Sequence, residues 1–110
     1  MKQYVVDQLR ESDYEQILSF LDANADKSAL GGVYRVEIPG EHYTALQLDH
    51  TDCQPHYFAV NLSLRQVAFE LLIRSREKLR CNCISYATPR QRDYILNFAD
   101  SMLERLNIQV

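Results

Sequence analysis

Histidine and cysteine are concentrated in one segment of the chain, and both are ligands that zinc prefers in proteins. All three histidines, His42, His50 and His56, lie in this segment together with Cys53. The spacing His50-x-x-Cys53-x-x-His56 brings three donor side chains within reach of one ion if the segment curls. The sequence therefore predicts a candidate metal site formed by His50, Cys53 and His56.

The two other cysteines, Cys81 and Cys83, are candidates to complete such a site. A structural zinc site usually carries two ligand pairs at knuckle spacing on tight turns. Cys81 and Cys83 instead alternate with polar residues, which favours neighbouring positions on one face of a strand, where a free thiol packs as a small hydrophobe. We therefore expect both thiols to be buried, reduced and free of metal. The sequence predicts no cofactor, with a metal-binding or regulatory thiol domain built on residues 42–56 as the alternative.

Thiol catalysis would need a nucleophile and a base, and Cys53 beside His50 or His56 is the minimal pair. No glycine-rich oxyanion loop accompanies it, because the three glycines of the chain are all assigned to turns. No family-type signature surrounds Cys53 either. We therefore expect the protein not to be an enzyme.

Four cations, Arg74, Arg76, Lys78 and Arg80, are close together in the sequence. Such a cluster could bind an anion or nucleic acid through phosphate groups. The chain has a net charge of −3 and shows no nucleic-acid-binding motif, so the simpler interpretation is a charged turn that is solvated and discourages edge association. Anion binding through residues 74–80 is the second alternative, and nucleic-acid binding is not expected.

The elements that position these residues can be predicted from periodicity and capping signals. Tyr4–Val6 is typical of a first strand. Ser12 as N-cap with Glu15 three residues on predicts a helix over residues 13–24. Alternation of apolar and polar residues predicts a half-buried strand at Val33–Ile38.

The middle of the chain predicts one loop and three more strands. Residues 41–55 fit neither period and are expected to form a loop that contains one short helical turn. Alternation returns over residues 57–64. A hairpin is then predicted in which residues 67–73 pair with residues 79–87. The apolar faces coincide when Ile73 lies opposite Cys81 and Leu71 opposite Cys83, with the three-residue loop Arg76-Glu77-Lys78.

The last helix has the clearest signals of all. Thr88 is the expected N-cap, Pro89 occupies the first helical position, and Gln91 occupies the capping-box position. Apolar residues at helical spacing extend this helix over residues 89–106. The fold class is therefore α+β: one domain with a mostly antiparallel sheet of about five strands, and two helices, near the N-terminus and at the C-terminus, packed on one face.

The opposite face of this sheet carries Tyr57, Leu72, Ile84 and Tyr86, which are neither a clean solvent surface nor a clean core. Apolar patches of this kind often mark a protein partner or self-association. The leading hypothesis is a small, non-enzymatic protein-interaction module, acting as a homodimer. No apolar run is long enough for a membrane span or a signal peptide, so we expect a cytoplasmic protein without membrane contact.

Overall fold

The α+β class is confirmed by a computed structural model of the chain, which describes residues 2–109. The helices are α1 (Glu11–Asn24), α2 (Ala45–Asp49) and α3 (Pro89–Arg105), with 3₁₀ turns at Gly40–His42 and Thr51–Cys53. The strands are β1 (Gln3–Val6), β2 (Asp26–Lys27), β3 (Val33–Glu37), β4 (His56–Leu62), β5 (Val67–Glu70), β6 (Leu72–Ser75) and β7 (Ser85–Tyr86).

All strand pairs of the described chain are antiparallel, in the order β1-β5-β4-β3-β2. The start of β4 also pairs with β6, and β6 pairs with β7. The predicted strand over residues 67–73 is interrupted at Leu71, whose N–H donates to the Lys2 carbonyl at 3.1 Å. The Leu71 carbonyl in turn accepts from the Ala87 N–H at 2.7 Å. The chain thus changes partners there, and one predicted strand becomes two.

One face of the sheet is covered by both long helices, as the sequence predicts. Phe98 of α3 packs edge-on against Phe58 and Phe69, with ring centroids 5.7 and 6.4 Å apart. Phe20 of α1 packs against the Phe98 ring, with the two ring centroids 6.2 Å apart. Phe58 and Phe69 are fully buried beneath these rings, and fully burying a side chain of this size contributes about 1.5 to 3 kcal/mol, so this layer holds the helices on the sheet.

The predicted start of α1 is wrong. The N-cap is Arg10 rather than Ser12, and the Asp13 carboxylate closes the capping box by accepting from the Arg10 N–H at 3.0 Å. Asp13 also accepts two hydrogen bonds from the Arg10 guanidinium, each at 3.1 Å. Charge-assisted hydrogen bonds to a carboxylate are stronger than those to a serine hydroxyl. The helix therefore begins after Arg10 rather than after Ser12.

The predicted start of α3 is confirmed. Thr88 accepts from the Gln91 N–H at 3.2 Å, and the Gln91 side chain accepts from the Thr88 N–H at 3.1 Å. Pro89 occupies the first turn. The helix ends at Arg105, within one residue of the prediction.

The predicted hairpin between residues 67–73 and 79–87 is wrong in register and in extent. Ile73 lies opposite Ser85, and Leu72 lies opposite Tyr86. Residues 76–84 therefore form a loop, and Cys81 is half-buried rather than a core residue. The apolar alternation that suggested a strand here includes Leu79, whose side chain is 96% exposed.

The 40–55 segment is more ordered than predicted, because it contains α2 between two 3₁₀ turns. Within residues 2–109, no helix has both the length and the apolar character that a membrane crossing requires.

Candidate metal centre

Four metal-ligating side chains converge where the 40–55 segment meets the 76–84 loop. They are His50, Cys53, Cys81 and Cys83, and their candidate donor atoms all lie within 4.8 Å of one another. Cys53 and Cys83 are buried, whereas His50 and Cys81 are half-buried. We call this group the Cys₃His cluster. In the described part of the chain, no other His, Cys, Asp or Glu side chains form such a group.

The first ligand pair is positioned by consecutive short helical turns. Thr44 starts α2: its hydroxyl accepts from the Gln47 N–H at 3.2 Å, and Gln47 Oε1 accepts from the Thr44 N–H at 3.0 Å. After α2 ends at Asp49, the Cys53 N–H donates to the His50 carbonyl at 2.9 Å. Residues three apart in a 3₁₀ turn point to the same side, so His50 and Cys53 face one point.

The second ligand pair lies on a tight turn of the 76–84 loop. The Ile84 N–H donates to the Cys81 carbonyl at 3.0 Å and closes the turn. Cys81 and Cys83 therefore lie on one tight turn with a single residue between them, and both sulfurs reach the cluster.

The spacing of the donor atoms fits a tetrahedral ion. Cys53 Sγ and Cys81 Sγ are 3.8 Å apart, and His50 Nδ1 lies 3.1 Å from Cys81 Sγ and 4.0 Å from Cys53 Sγ. Ordinary Zn–S and Zn–N bond lengths in a tetrahedron give edges of about 3.8 Å between sulfurs and about 3.6 Å between nitrogen and sulfur. The distances among these three donor atoms are within about 0.5 Å of the tetrahedral edges, and Cys83 Sγ lies within 4.8 Å of each of them.

Ser75, at the end of β6, joins the two ligand-bearing segments. Its hydroxyl donates to the Cys53 carbonyl. The same oxygen accepts from the N–H groups of Glu77 and Lys78, both at 3.1 Å. One buried side chain thus fixes the start of the 76–84 loop relative to Cys53.

Gln47 supports the centre from the side of α2. The side chain is fully buried, and its Nε2 donates to the Cys83 carbonyl at 3.2 Å. The Gln54 amide donates to the Gln47 carbonyl at 3.2 Å and so holds the chain between the two helical turns. The pattern that identifies Gln47 from sequence is the capping box Thr44-x-x-Gln47, which the ambiguous periodicity of the segment obscured.

An ion pair closes the solvent side of the cluster. Lys78 Nζ lies 2.6 Å from Asp52 Oδ2, which links the 76–84 loop to the turn that holds Cys53. The pair raises the pKa of Lys78 and lowers the pKa of Asp52, in each case mainly through their hydrogen bond. Because both groups are exposed, solvent screens the pair and its contribution to stability is small.

The three thiols differ in pKa because they differ in burial and in the hydrogen bonds they receive. The Cys83 N–H, with further hydrogen bonds from neighbouring ligands, lowers the pKa of Cys81 to about 6. Burial raises the pKa of Cys53, and burial raises the pKa of Cys83 to about 12. Without metal at neutral pH, Cys81 is therefore the thiolate that would meet an incoming cation first.

The predicted metal ligands are only partly brought together. His50 and Cys53 belong to the Cys₃His cluster, but His56 does not. His56 is fully buried, with Nε2 3.4 Å from Cys83 Sγ. Burial is the main cause that lowers the pKa of His56, with a smaller contribution from His50. Cys81 and Cys83 lie beside His50 and Cys53 rather than on a separate strand face, and the predicted burial of both thiols is confirmed for Cys83 only.

The basic side chains of residues 74–80 mostly have acidic partners. Arg74 lies 3.2 Å from Glu70, and Arg76 lies 2.6 Å from Asp26. Within residues 2–109, Arg80 forms no ion pair at the distances that define the others. Three of the four cations, counting Lys78, are thus neutralised within the protein.

The four residues of the predicted partner surface differ in exposure. Tyr86 is 45% exposed and lies opposite Leu72 on β6, which is half-buried. Ile84 is half-buried beside the cysteine turn. The half-buried Tyr57 is covered by the Arg35 guanidinium, 5.7 Å from its ring centroid.

Comparison of the chain with protein-family models, with curated proteins and with solved structures gave no match. The function is therefore inferred from the chemistry of the Cys₃His cluster.

Proposed function

We propose that this protein is a zinc-binding domain in which one ion, held by His50, Cys53, Cys81 and Cys83, joins the 40–55 segment to the 76–84 loop. The observation that carries the proposal is the convergence of four donor atoms within 4.8 Å. Three sulfurs and one imidazole nitrogen at tetrahedral spacing are the donor set of structural zinc sites.

The proposed role of the ion is structural. All four positions of a tetrahedron are occupied by side chains, which leaves no open position for a water or a substrate. The two ligand pairs are separated by 27 residues of intervening chain between Cys53 and Cys81. A metal clip between them restricts the unfolded chain and orders a loop that has no strand partners of its own.

Metal content and thermal stability test the proposal together. Purified under mild, reducing conditions, the full chain should hold about one zinc per molecule by elemental analysis. At free zinc a thousandfold above Kd, binding stabilises the folded state by about 4 kcal/mol, and a chelator should remove that amount. The Cys53→Ser and Cys83→Ser variants should lose both the zinc and the response to chelator.

Asp49→Asn is the matched control, since Asp49 is exposed, adjoins His50 and is not one of the four ligands. It should keep its zinc. Protein that neither copurifies with zinc nor takes it up in a titration would refute the proposed function.

Protein binding is a second proposed function, because the 76–84 loop and the strand that follows it carry two of the exposed apolar side chains. Leu79 is 96% exposed at the tip of the 76–84 loop, and Tyr86 is 45% exposed on β7. Self-association through these residues would fit the predicted homodimer. Sedimentation velocity over a hundredfold concentration range tests it: a dimer should weaken in a Leu79→Ser, Tyr86→Ser variant, and a constant monomer mass would refute it.

A further inference from the structure

His56 has no place among the four ligands, yet it contacts one of them inside the protein. Its Nε2 lies 3.4 Å from Cys83 Sγ, and its side chain is fully buried. Tyr43 holds the ring in place. The backbone N–H of His56 donates to the Tyr43 hydroxyl at 2.9 Å, and the two rings pack edge to face with their centroids 4.9 Å apart. The backbone of His56 also receives the Ile38 N–H at 3.1 Å.

The two ring nitrogens of His56 have different environments. Nδ1 is buried and has no hydrogen-bond partner among residues 2–109, whereas Nε2 faces the Cys83 sulfur. A neutral imidazole carries one N–H, on either nitrogen. A proton on Nδ1 would leave a buried donor unpaired and would turn the Nε2 lone pair towards the lone pairs of the sulfur. A proton on Nε2 satisfies the donor and removes that repulsion.

We propose that His56 is a positioning residue of the zinc centre, which donates its Nε2–H to the zinc-bound thiolate of Cys83. The inference rests on the proposed zinc site, since a metal-bound Cys83 is a thiolate that can only accept. His56 acts through Cys83 and is not itself a ligand.

The hydrogen bond from His56 would stabilise the negative charge on the Cys83 sulfur. Three thiolates outweigh the two positive charges of zinc, so the centre carries one net negative charge. Cys81 is half-buried and can be hydrated, but Cys83 is buried away from water. His56 supplies a donor to this buried sulfur, which disperses its charge and fixes its direction. Loss of such outer-shell partners typically weakens metal affinity 10- to 100-fold.

Two substitutions in the full chain separate hydrogen bonding from packing. His56→Phe keeps a ring but removes both nitrogens, and should weaken zinc affinity by about 10- to 100-fold in a chelator competition. In the Co²⁺-loaded variant, the sulfur-to-cobalt charge-transfer band should move to lower energy, because the sulfur loses a donor. His56→Gln, whose side-chain amide can donate in place of Nε2, should restore most of both properties. Val67→Ala, which removes buried volume on β5 where it pairs with Leu62 at the other end of β4, is the control for destabilisation and should leave the band in place.

A measurement on the unaltered protein keeps the inference testable if His56→Phe does not fold. Long-range ¹H–¹⁵N correlation spectra of the zinc-loaded chain should show His56 as the neutral tautomer protonated on Nε2. Protonation on Nδ1, or a His56→Phe variant with unchanged affinity and an unchanged cobalt spectrum, would overturn the role of His56. If the unaltered chain binds neither Zn²⁺ nor Co²⁺, it is the proposed zinc site that fails.

Discussion

Gln91 Nε2 donates to Gln47 Oε1 at 2.9 Å, and both side chains are fully buried. Each glutamine closes the capping box of its own helix, α3 or α2, so one hydrogen bond joins the first turns of two helices 44 residues apart. Since Gln47 also donates to the Cys83 carbonyl at 3.2 Å, a continuous series of hydrogen bonds connects the last helix to the Cys₃His cluster.

Replacing Gln47 with leucine should destabilise the protein by about 2 to 4 kcal/mol, because the buried Thr44 N–H, Gln91 amide and Cys83 carbonyl each lose a partner. Denaturant unfolding measures the loss. Gln16→Leu on the exposed side of α1 is the control, with an expected change within about 0.5 kcal/mol. A Gln47→Leu variant as stable as that control would show that this network does not stabilise the fold.

Cys81 should be the most reactive thiol once metal is removed. It is the half-buried cysteine, and its pKa of about 6 makes it largely thiolate at neutral pH, while Cys53 and Cys83 are buried with raised pKa values. Maleimide labelling at pH 7 followed by peptide mass spectrometry should find Cys81 modified first after chelation, and protection of all three thiols in zinc-loaded protein. Faster modification of Cys83 would contradict the loop geometry.

The basic residues 74–80 should not bind nucleic acid at physiological salt. Arg74, Arg76 and Lys78 are paired with carboxylates, which leaves too little uncompensated charge to neutralise phosphates. Titration of fluorescent single- and double-stranded oligonucleotides should show no sub-micromolar binding. Tight binding that disappears in an Arg76→Glu, Lys78→Glu variant would reverse this conclusion.

The fold should lose stability at high pH, when the Tyr34 hydroxyl ionises. Its hydroxyl donates to Asp22 at 2.7 Å, and burial, followed by this hydrogen bond, raises its pKa to about 12. Since the folded-state pKa lies above the ordinary value of 10.0, the contribution is fully present below pH 10 and is lost as the pH rises through about 12. The stability of the Tyr34→Phe variant should therefore fall less between pH 10 and pH 12 than that of the unaltered chain. Equal pH dependence would contradict the shift.

Gly32 and Gly31 offer a matched pair for testing backbone strain. Gly32 has a φ of +79°, and a Cβ there would lie 2.6 Å from the Leu62 carbonyl oxygen, whereas Gly31 has open space around it. Gly32→Ala should cost more than about 1 kcal/mol, and Gly31→Ala should be close to neutral. Thermal unfolding of both variants checks the difference, and similar melting temperatures would refute it.

Much of the fold can be predicted from the sequence because its signals are local. The capping box at Thr88 and Gln91 involves neighbours on one turn, and the alternation from Val33 onward reflects one buried face. The prediction of the α1 start was wrong for a local reason too. Arg10 and Ser12 are alternative N-caps, and Asp13 accepts additional hydrogen bonds from Arg10. His50 and Cys53 were identifiable from type and spacing alone as members of one candidate site, and the structure brings them together.

The Cys₃His cluster as a whole is determined only by the tertiary structure. Alternation around Cys81 and Cys83 favoured a strand, yet pairing of β6 with Ser85 and Tyr86 leaves residues 76–84 outside the sheet. Strand register depends on which segments pair across the whole sheet, and a shift of register moves every side chain that follows. The sequence by itself determined the ligand types and one ligand pair. The folding of the sheet decided that Cys81 and Cys83 face that pair, because the contact joins segments that are distant along the chain and adjacent only in the folded protein.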